Sequence, residues 1–313
     1  MFNPSKKQMS FLYCAAAVLT LLFILSLTVF SDKGKGRRQI QQIQLLHEAD
    51  ISNIDIITIQ SGTDSLILTR TNDMWLISNP LDINDRIPAD TERLQKFFVI
   101  LVSKHNMTKA GKSNEADNNS YKLNTQEGTQ ITLYKNGTAY QCLTFGDLNF
   151  SQTERYFTTQ ELKSVLLAGQ EFDGFLNPSI QVWADPYIIS SQLRENVFSM
   201  GQVQSAVIYD ELTKKSTRLE SSNPEQKELL LKLLDLRHGG FVEKTNLPLT
   251  KSNTINLEMG DKSKITLELF EHPQAENEYI IQTKFESERL QKSFSYTTQI
   301  SAWTYSKISE MML

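Results

Sequence analysis

Phe11 to Phe30 reads FLYCAAAVLTLLFILSLTVF, twenty residues without a charge. A helix of that length rises roughly 30 Å, the thickness of a bilayer's hydrocarbon core. The run is apolar on every side, so as a helix it has no polar face to turn toward water. A cleaved signal peptide would carry a shorter apolar core and small residues before the cut. Leu27-Thr28-Val29-Phe30-Ser31 lacks that pattern. A lipidation signal would place its cysteine after the apolar run, whereas Cys14 stands near the start. The expectation is a retained transmembrane helix over 11–30, with a short tail (1–10) before it and a basic juxtamembrane linker (31–50) after it. Both flanks are basic, so charge alone does not fix the orientation. A ten-residue tail stays inside easily, which favours a cytoplasmic N-terminus and a body on the periplasmic side of the inner membrane.

Charge divides unevenly along the 313 residues. Residues 1–38 carry six basic side chains against Asp32 alone, a net of +5, while the whole chain is −4; the rest is therefore −9. An acidic body repels phosphate backbones, and no basic stripe offsets this, so nucleic acid is not an expected partner. The basic cluster instead flanks the apolar run, where it meets lipid head groups. An apolar fraction of 40% and a charged fraction of 22% suit folded domains rather than disorder. Cys14 and Cys142 are the two cysteines. One lies in the apolar run and the other in a strand-like stretch, so no disulfide framework is expected. Cys142 reads as a small buried apolar residue.

The body reads as α+β, with one kind of unit present twice. Ile51 to Ile59 alternates and is β-branched, as a strand requires. A turn at Ser61-Gly62-Thr63-Asp64 leads to a second strand over Leu66–Thr69, and Met74–Ile77 follows. Asn79 to Pro88 reads as a loop. Asp90 is placed to cap a helix whose apolar face is Leu94, Phe97, Phe98 and Leu101, ending near His105. Residues 106–120 are polar and read as a loop. Four short strands follow (131–134, 140–145, 155–158, 165–167), the first two joined at Asn136-Gly137, a pair that tolerates positive φ. Strands over 203–209 and 216–219 then precede a helix capped by Asn223-Pro224, with Gln226 at the capping-box position. Leu229, Leu230, Leu233 and Leu234 form its apolar face, and Gly239-Gly240 is expected to stop it. Four more strands close the chain (254–258, 265–270, 278–285, 294–300), before Trp303 and a short apolar tail. Each unit is thus a β-hairpin, one helix and an antiparallel meander, over 51–183 and 195–313, with 184–194 as connector. In the linker, Ile40, Ile43 and Leu46 have helical spacing, so either a continued helix or a flexible spacer is open.

Catalytic patterns are missing from the sequence. His47, His105, His238 and His272 are scattered, and neither H-E-x-x-H nor C-x-x-C occurs. His238-Gly239-Gly240 resembles part of an oxyanion loop, but there is no G-x-S-x-G nucleophile for it to serve. No G-x-G-x-x-G or Walker A sequence is present to cradle phosphate. Asp82, Asp85 and Asp90 lack the alternating spacing of a calcium loop, so a solvated loop before the helix is the simpler reading. Asp173-Gly174 and Asp185-Pro186 read as turns. Trp75 reads as core, and Trp183 and Trp303 as packing near the ends of the two units. No catalytic, metal or cofactor residue is assigned.

Certain segments nevertheless resemble a known group in their order. These are Met74-Trp75-Leu76-Ile77-Ser78-Asn79-Pro80, Pro88-Ala89-Asp90 opening a helix, Tyr121-Lys122-Leu123, Phe145-Gly146-Asp147, Arg155-Tyr156-Phe157, Phe175-Leu176-Asn177-Pro178-Ser179 and Trp183-Ala184-Asp185. The pattern is similar to the bacterial family called domain of unknown function 4340, over residues 51–190. The resemblance implies an N-terminal membrane helix and a setting beside ABC transporters of the gliding-motility type, and it brings no catalytic residues. The expected function is a membrane-anchored accessory or binding protein with transporter subunits as partners. A cell-envelope hydrolase using dispersed carboxylates and a passive tether are the alternatives.

Overall fold

The structure is a computed structural model that describes residues 20, 39–71, 74–79, 82–112, 119–124, 126–162, 164–194, 203–241, 250–260, 262–271, 278–287 and 292–311. The expected membrane helix, apart from Thr20, and residues 31–38 of the linker after it lie outside these, as does His272. Among the described residues no helix is long and apolar enough to cross a membrane.

Alternating β-branched and apolar residues put most of the described residues into strands. In chain order they are β1 (Ile40–Gln44), β2 (Ile54–Ser61), β3 (Asp64–Thr71), β4 (Met74–Asn79), β5 (Asp82–Pro88), β6 (Lys104–Lys112), β7 (Thr129–Lys135), β8 (Thr138–Leu148), β9 (Glu154–Thr159) and β10 (Ser164–Gly169), then β11 (Val203–Asp210), β12 (Ser216–Glu220), β13 (Gly240–Phe241), β14 (Lys251–Met259), β15 (Lys264–Glu271), β16 (Glu278–Ser287) and β17 (Lys292–Ser301). The helices are α1 (Thr91–Val102), α2 (Ile180–Trp183), α3 (Pro224–Leu234) and α4 (Ala302–Glu310). The fold is β-rich α+β, built on two antiparallel sheets.

The first sheet runs β5-β4-β3-β2-β7-β8-β9-β10-β6-β1. The second runs β12-β11-β14-β15-β16-β17-β13. In both, the opening strand pairs with its hairpin partner on one side and with the first meander strand on the other. In both, the strand that follows the helix returns to the last meander strand: β6 to β10, and β13 to β17. One parallel bridge, Ser295 with Asp85, joins the sheets.

Each sheet buries one face against its helix. Asp90 caps α1 by accepting from the Arg93 N–H at 3.1 Å, and Leu94, Phe97, Phe98 and Leu101 are all buried. Phe97 meets Trp183 edge-on at 5.8 Å and Phe175 at 5.3 Å, so α1 is fixed over the first core by aromatic contacts. In the second sheet β15 alternates strictly, with Ile265, Leu267 and Leu269 buried. Leu230, Leu233 and Leu234 of α3 and Ile308 of α4 pack on that core. The cores interlock at β4, whose Trp75 and Ile77 belong to the first core and Met74 and Leu76 to the second. A period-two strand buried on both sides presents alternate residues to each neighbour.

Several expectations need correction. The segment expected as a loop from Asn79 to Pro88 contains β5, and the part of the polar stretch 106–120 up to Lys112 lies in β6, while 113–118 lie outside the described residues. Neither carries a clean alternation, because their neighbours supply the pairing: β6 lies between β1 and β10 and buries only Met107. Accordingly α1 ends at Val102, short of His105. Ile51 sits in a short 3-10 turn over Glu48–Asn53, and the strand starts at Ile54. Ile40 and Ile43 lie on a strand and not a helix. Gly239-Gly240 does not stop α3, which ends at Leu234; Gly240 opens β13. The chain's last apolar stretch is helical (α4), and Trp303 on it is 68% exposed instead of packed.

Candidate functional site

The segment 184–194 passes between the two cores, and one aspartate organises it. Asp185 is buried, and its carboxylate accepts from the Tyr187 N–H at 3.0 Å, the Ser191 N–H at 2.7 Å and the Ser191 hydroxyl. These bonds fold the chain back on itself after Pro186, an Asx-turn carried one step further. Burial pushes the Asp185 carboxyl above the usual carboxylate range, against the pull of those hydrogen bonds. The His238 Nε2–H donates to the Asp185 carbonyl at 2.7 Å. Burial lowers the His238 pKa, so the ring is neutral at pH 7. Its buried Nδ1 has no hydrogen-bond partner among the described residues. Asp185 therefore acts as the expected turn residue, with the added burden of a buried charge.

The turn presents Tyr187 between two guanidinium groups. Arg194 lies 3.6 Å from the ring centroid and Arg237 4.8 Å, and Arg237 donates to the Tyr187 hydroxyl at 3.1 Å. Arg194 also donates to the Asp235 carboxylate at 2.7 Å. Stacked, forked guanidinium groups of this kind are rigid and well suited to carboxylate or phosphate oxygens. The opposite wall is the N-terminal turn of α1, with Asp90, Thr91, Glu92 and Gln95. Between the walls is a cleft of about 410 Å³. Glu92 is paired with Lys96 at 2.6 Å.

A larger groove, about 740 Å³, lies between α4 and the turn joining β11 to β12. Leu212 on that turn is 77% exposed. Tyr305 anchors the other side, stacked on Tyr279 at 3.7 Å and accepting from the Asn253 amide at 3.1 Å. Asp210 on the turn accepts from the Leu212 and Thr213 N–H groups at 2.7 and 3.1 Å.

The remaining residues singled out in the sequence have structural roles. His105 bridges the Glu171 carboxylate at 3.1 Å and the Ile100 carbonyl at 2.7 Å, against the ring of Phe172. His47 is exposed before the first 3-10 turn. Asp173 accepts from Arg155 at 2.8 Å. Asp82 and Asp85 lie on β5, whereas Asp90 is the N-cap of α1. Cys142 is buried in β8 and accepts from the Gln130 amide at 2.9 Å. Trp75 and Trp183 are core residues. Among the described residues no group of three or more His, Cys, Asp or Glu is placed to hold a metal.

The segments quoted for the family pattern meet one another in space. Ala89 bridges Ala184, the Asp90 N–H donates to the Trp183 carbonyl at 2.8 Å, and the Asp185 N–H donates to the Pro88 carbonyl at 3.0 Å. Likewise the Asp147 N–H donates to the Tyr121 carbonyl at 3.1 Å, and Tyr121 stacks on Tyr156 at 4.2 Å. Arg155 donates to the Gly146 carbonyl at 2.7 Å. These short sequences are joints of the fold, one of which places Asp90 in the cleft. Tyr187, Arg194 and Arg237 escaped sequence reading because the pairing of Tyr187 with Arg237 spans 50 positions and carries no local signal.

Searches against family models, curated proteins and solved structures find no match to this chain.

Proposed function

We propose that this chain is a membrane-anchored, non-catalytic accessory protein. The run 11–30 crosses the inner membrane with the N-terminus in the cytoplasm, and the β-rich body docks on a membrane partner from the periplasmic side. The resemblance to domain of unknown function 4340 supplies the partner class: subunits of an ABC transporter of the gliding-motility type. The observation that carries the docking role is β1. It begins ten positions after Phe30 and pairs on one side only, with β6, among the described residues. Its residues read Ile-Gln-Gln-Ile-Gln, and Ile40 is 67% exposed. An uncharged edge strand without proline offers its unpaired backbone groups to an incoming strand, and lysines or prolines are what proteins use to prevent this. Ten residues reach at most about 36 Å when extended, so this edge stays close to the membrane surface.

Supporting the same reading, the matched pairing order of the two sheets is what a duplicated unit would leave. The units of 51–183 and 195–313 would then have diverged, the first gaining β4 and β5 before its helix. Duplication yields a scaffold with two comparable faces, which suits a docking module.

Affinity purification of the full-length protein from native membranes in mild detergent, followed by mass spectrometry, tests the proposal. Stoichiometric transporter subunits are the expected result. Recovery of the protein alone, under conditions that keep other membrane complexes intact, would remove the partner from the proposal.

A further inference from the structure

The cleft between the cores differs from the docking edge in both position and chemistry. Its two walls carry opposite charge. On the wall from the second half, Arg194 is neutralised by Asp235, but Arg237 has no carboxylate within ion-pairing distance among the described residues and is held by the Tyr187 hydroxyl alone. On the wall from the first half, Glu92 is neutralised by Lys96. Asp90 has no basic partner among the described residues; one carboxylate oxygen caps α1 through the Arg93 N–H and the other has no hydrogen bond there. Once the internal pairs are removed, one cation and one anion face a shared space of about 410 Å³. That volume is near the small end of the range for small-molecule sites, roughly 300–1,000 Å³.

This balance decides the ligand class. A simple anion would gain Arg237 but meet the Asp90 carboxylate, and a simple cation would meet the reverse. A molecule with both charges at its two ends satisfies each wall. We infer that the cleft binds a small zwitterion of the amino-acid type, a free amino acid or dipeptide, with its carboxylate on Arg237 and its ammonium on Asp90. The Tyr187 hydroxyl holds Arg237 in place, and Gln95 and Ser191 supply neutral polar lining. The assignment stands whether or not the body docks on a transporter.

Calorimetric titration of the full-length protein in detergent tests it, using glycine, alanine, glutamate and dialanine, with acetate and methylamine as single-charge controls. Binding of one or more zwitterions, and weaker or no binding of both controls, is expected. Asp90→Asn and Arg237→Gln should each weaken that binding by about tenfold or more, the scale of one charge-assisted hydrogen bond. Asparagine caps helices as well as aspartate does, and Arg237 is exposed, so both variants should fold; coincident thermal melts would establish this. No heat with any zwitterion at about 10 mM, which would reveal affinity as weak as roughly millimolar, acetate binding as tightly as the zwitterions, or unchanged affinity in both variants would overturn the assignment.

Discussion

Gly146 shows how little room single positions of this fold leave. A Cβ built there would lie 2.0 Å from the Tyr121 carbonyl oxygen, a backbone atom that cannot swing away. The same carbonyl accepts from Asp147, so moving it would break the joint that fixes the 121–123 segment. Gly146→Ala should destabilise the body by about 3 kcal/mol, the upper range for overpacking. A lower urea midpoint with an unchanged slope would show this. Asp185 supports a pH prediction at the same scale. Its carboxyl is raised by burial, so the folded chain binds the proton more tightly than the unfolded chain. The stability it contributes is complete below the unfolded pKa, about 3.9, and is lost as pH rises through the folded value. Asp185→Asn removes that titration. The stability of the natural chain minus that of the variant should therefore fall as pH rises from 3 to 7 in chemical denaturation. A difference that is flat across this range would show that the carboxyl is not raised.

At the scale of elements, what the sequence showed depended on whether an element's pattern is local. The α1 helix was legible because its cap and its four apolar residues lie within twelve positions, and all of them are used as expected. The hairpin at Asn136-Gly137 was legible for the same reason: φ is 52° and 72°, a turn that matches strand twist. The capping box expected at Gln226 is only half formed: its N–H donates to the Asn223 side chain, but its own side chain accepts from the Glu220 N–H and not from Asn223. By contrast β5 and β6 are strands because of their neighbours, and a polar sequence such as Lys-His-Asn-Met-Thr-Lys carries no trace of them. The cleft was half legible. Asp90 is recognisable as a cap, but its facing arginine comes from a position 147 residues later in the sequence. Edge strand β1 yields a prediction here. Ile40→Lys places a charge on an already exposed residue, so stability should change by no more than about 0.5 kcal/mol. It should nevertheless cut co-purification of the partner severalfold, since an edge lysine opposes strand addition. Undiminished capture in quantitative mass spectrometry would place the docking surface elsewhere.

For the whole molecule, the question is whether two cores make one cooperative body. Three features tie them together. β4 feeds alternate side chains into both cores, and Tyr296 of the second sheet packs in the first. Gln192 supplies the third: its buried amide accepts from the Trp75 N–H at 2.8 Å and donates to the Trp75 and Ala89 carbonyls at 2.9 and 2.7 Å. Every one of these groups would be costly to leave unpaired away from water. Interlocking of this kind predicts a single unfolding transition for the described body. The tryptophans make the prediction readable. Trp75 and Trp183 both report on the first core, the second core contains none among the described residues, and Trp303 is exposed. Fluorescence thus follows the first core while far-ultraviolet dichroism follows both. In the natural chain the two curves should coincide, the usual sign of two-state behaviour. Gln192→Ala removes the amide that joins the halves, at a cost of about 3 kcal/mol for the groups left unpaired. It should also pull the two curves apart as the cores begin to melt separately. Curves that already diverge in the natural chain would mean that β4 and Gln192 connect the units without coupling their stability, and the cleft between them would then open and close with independent motion of its walls.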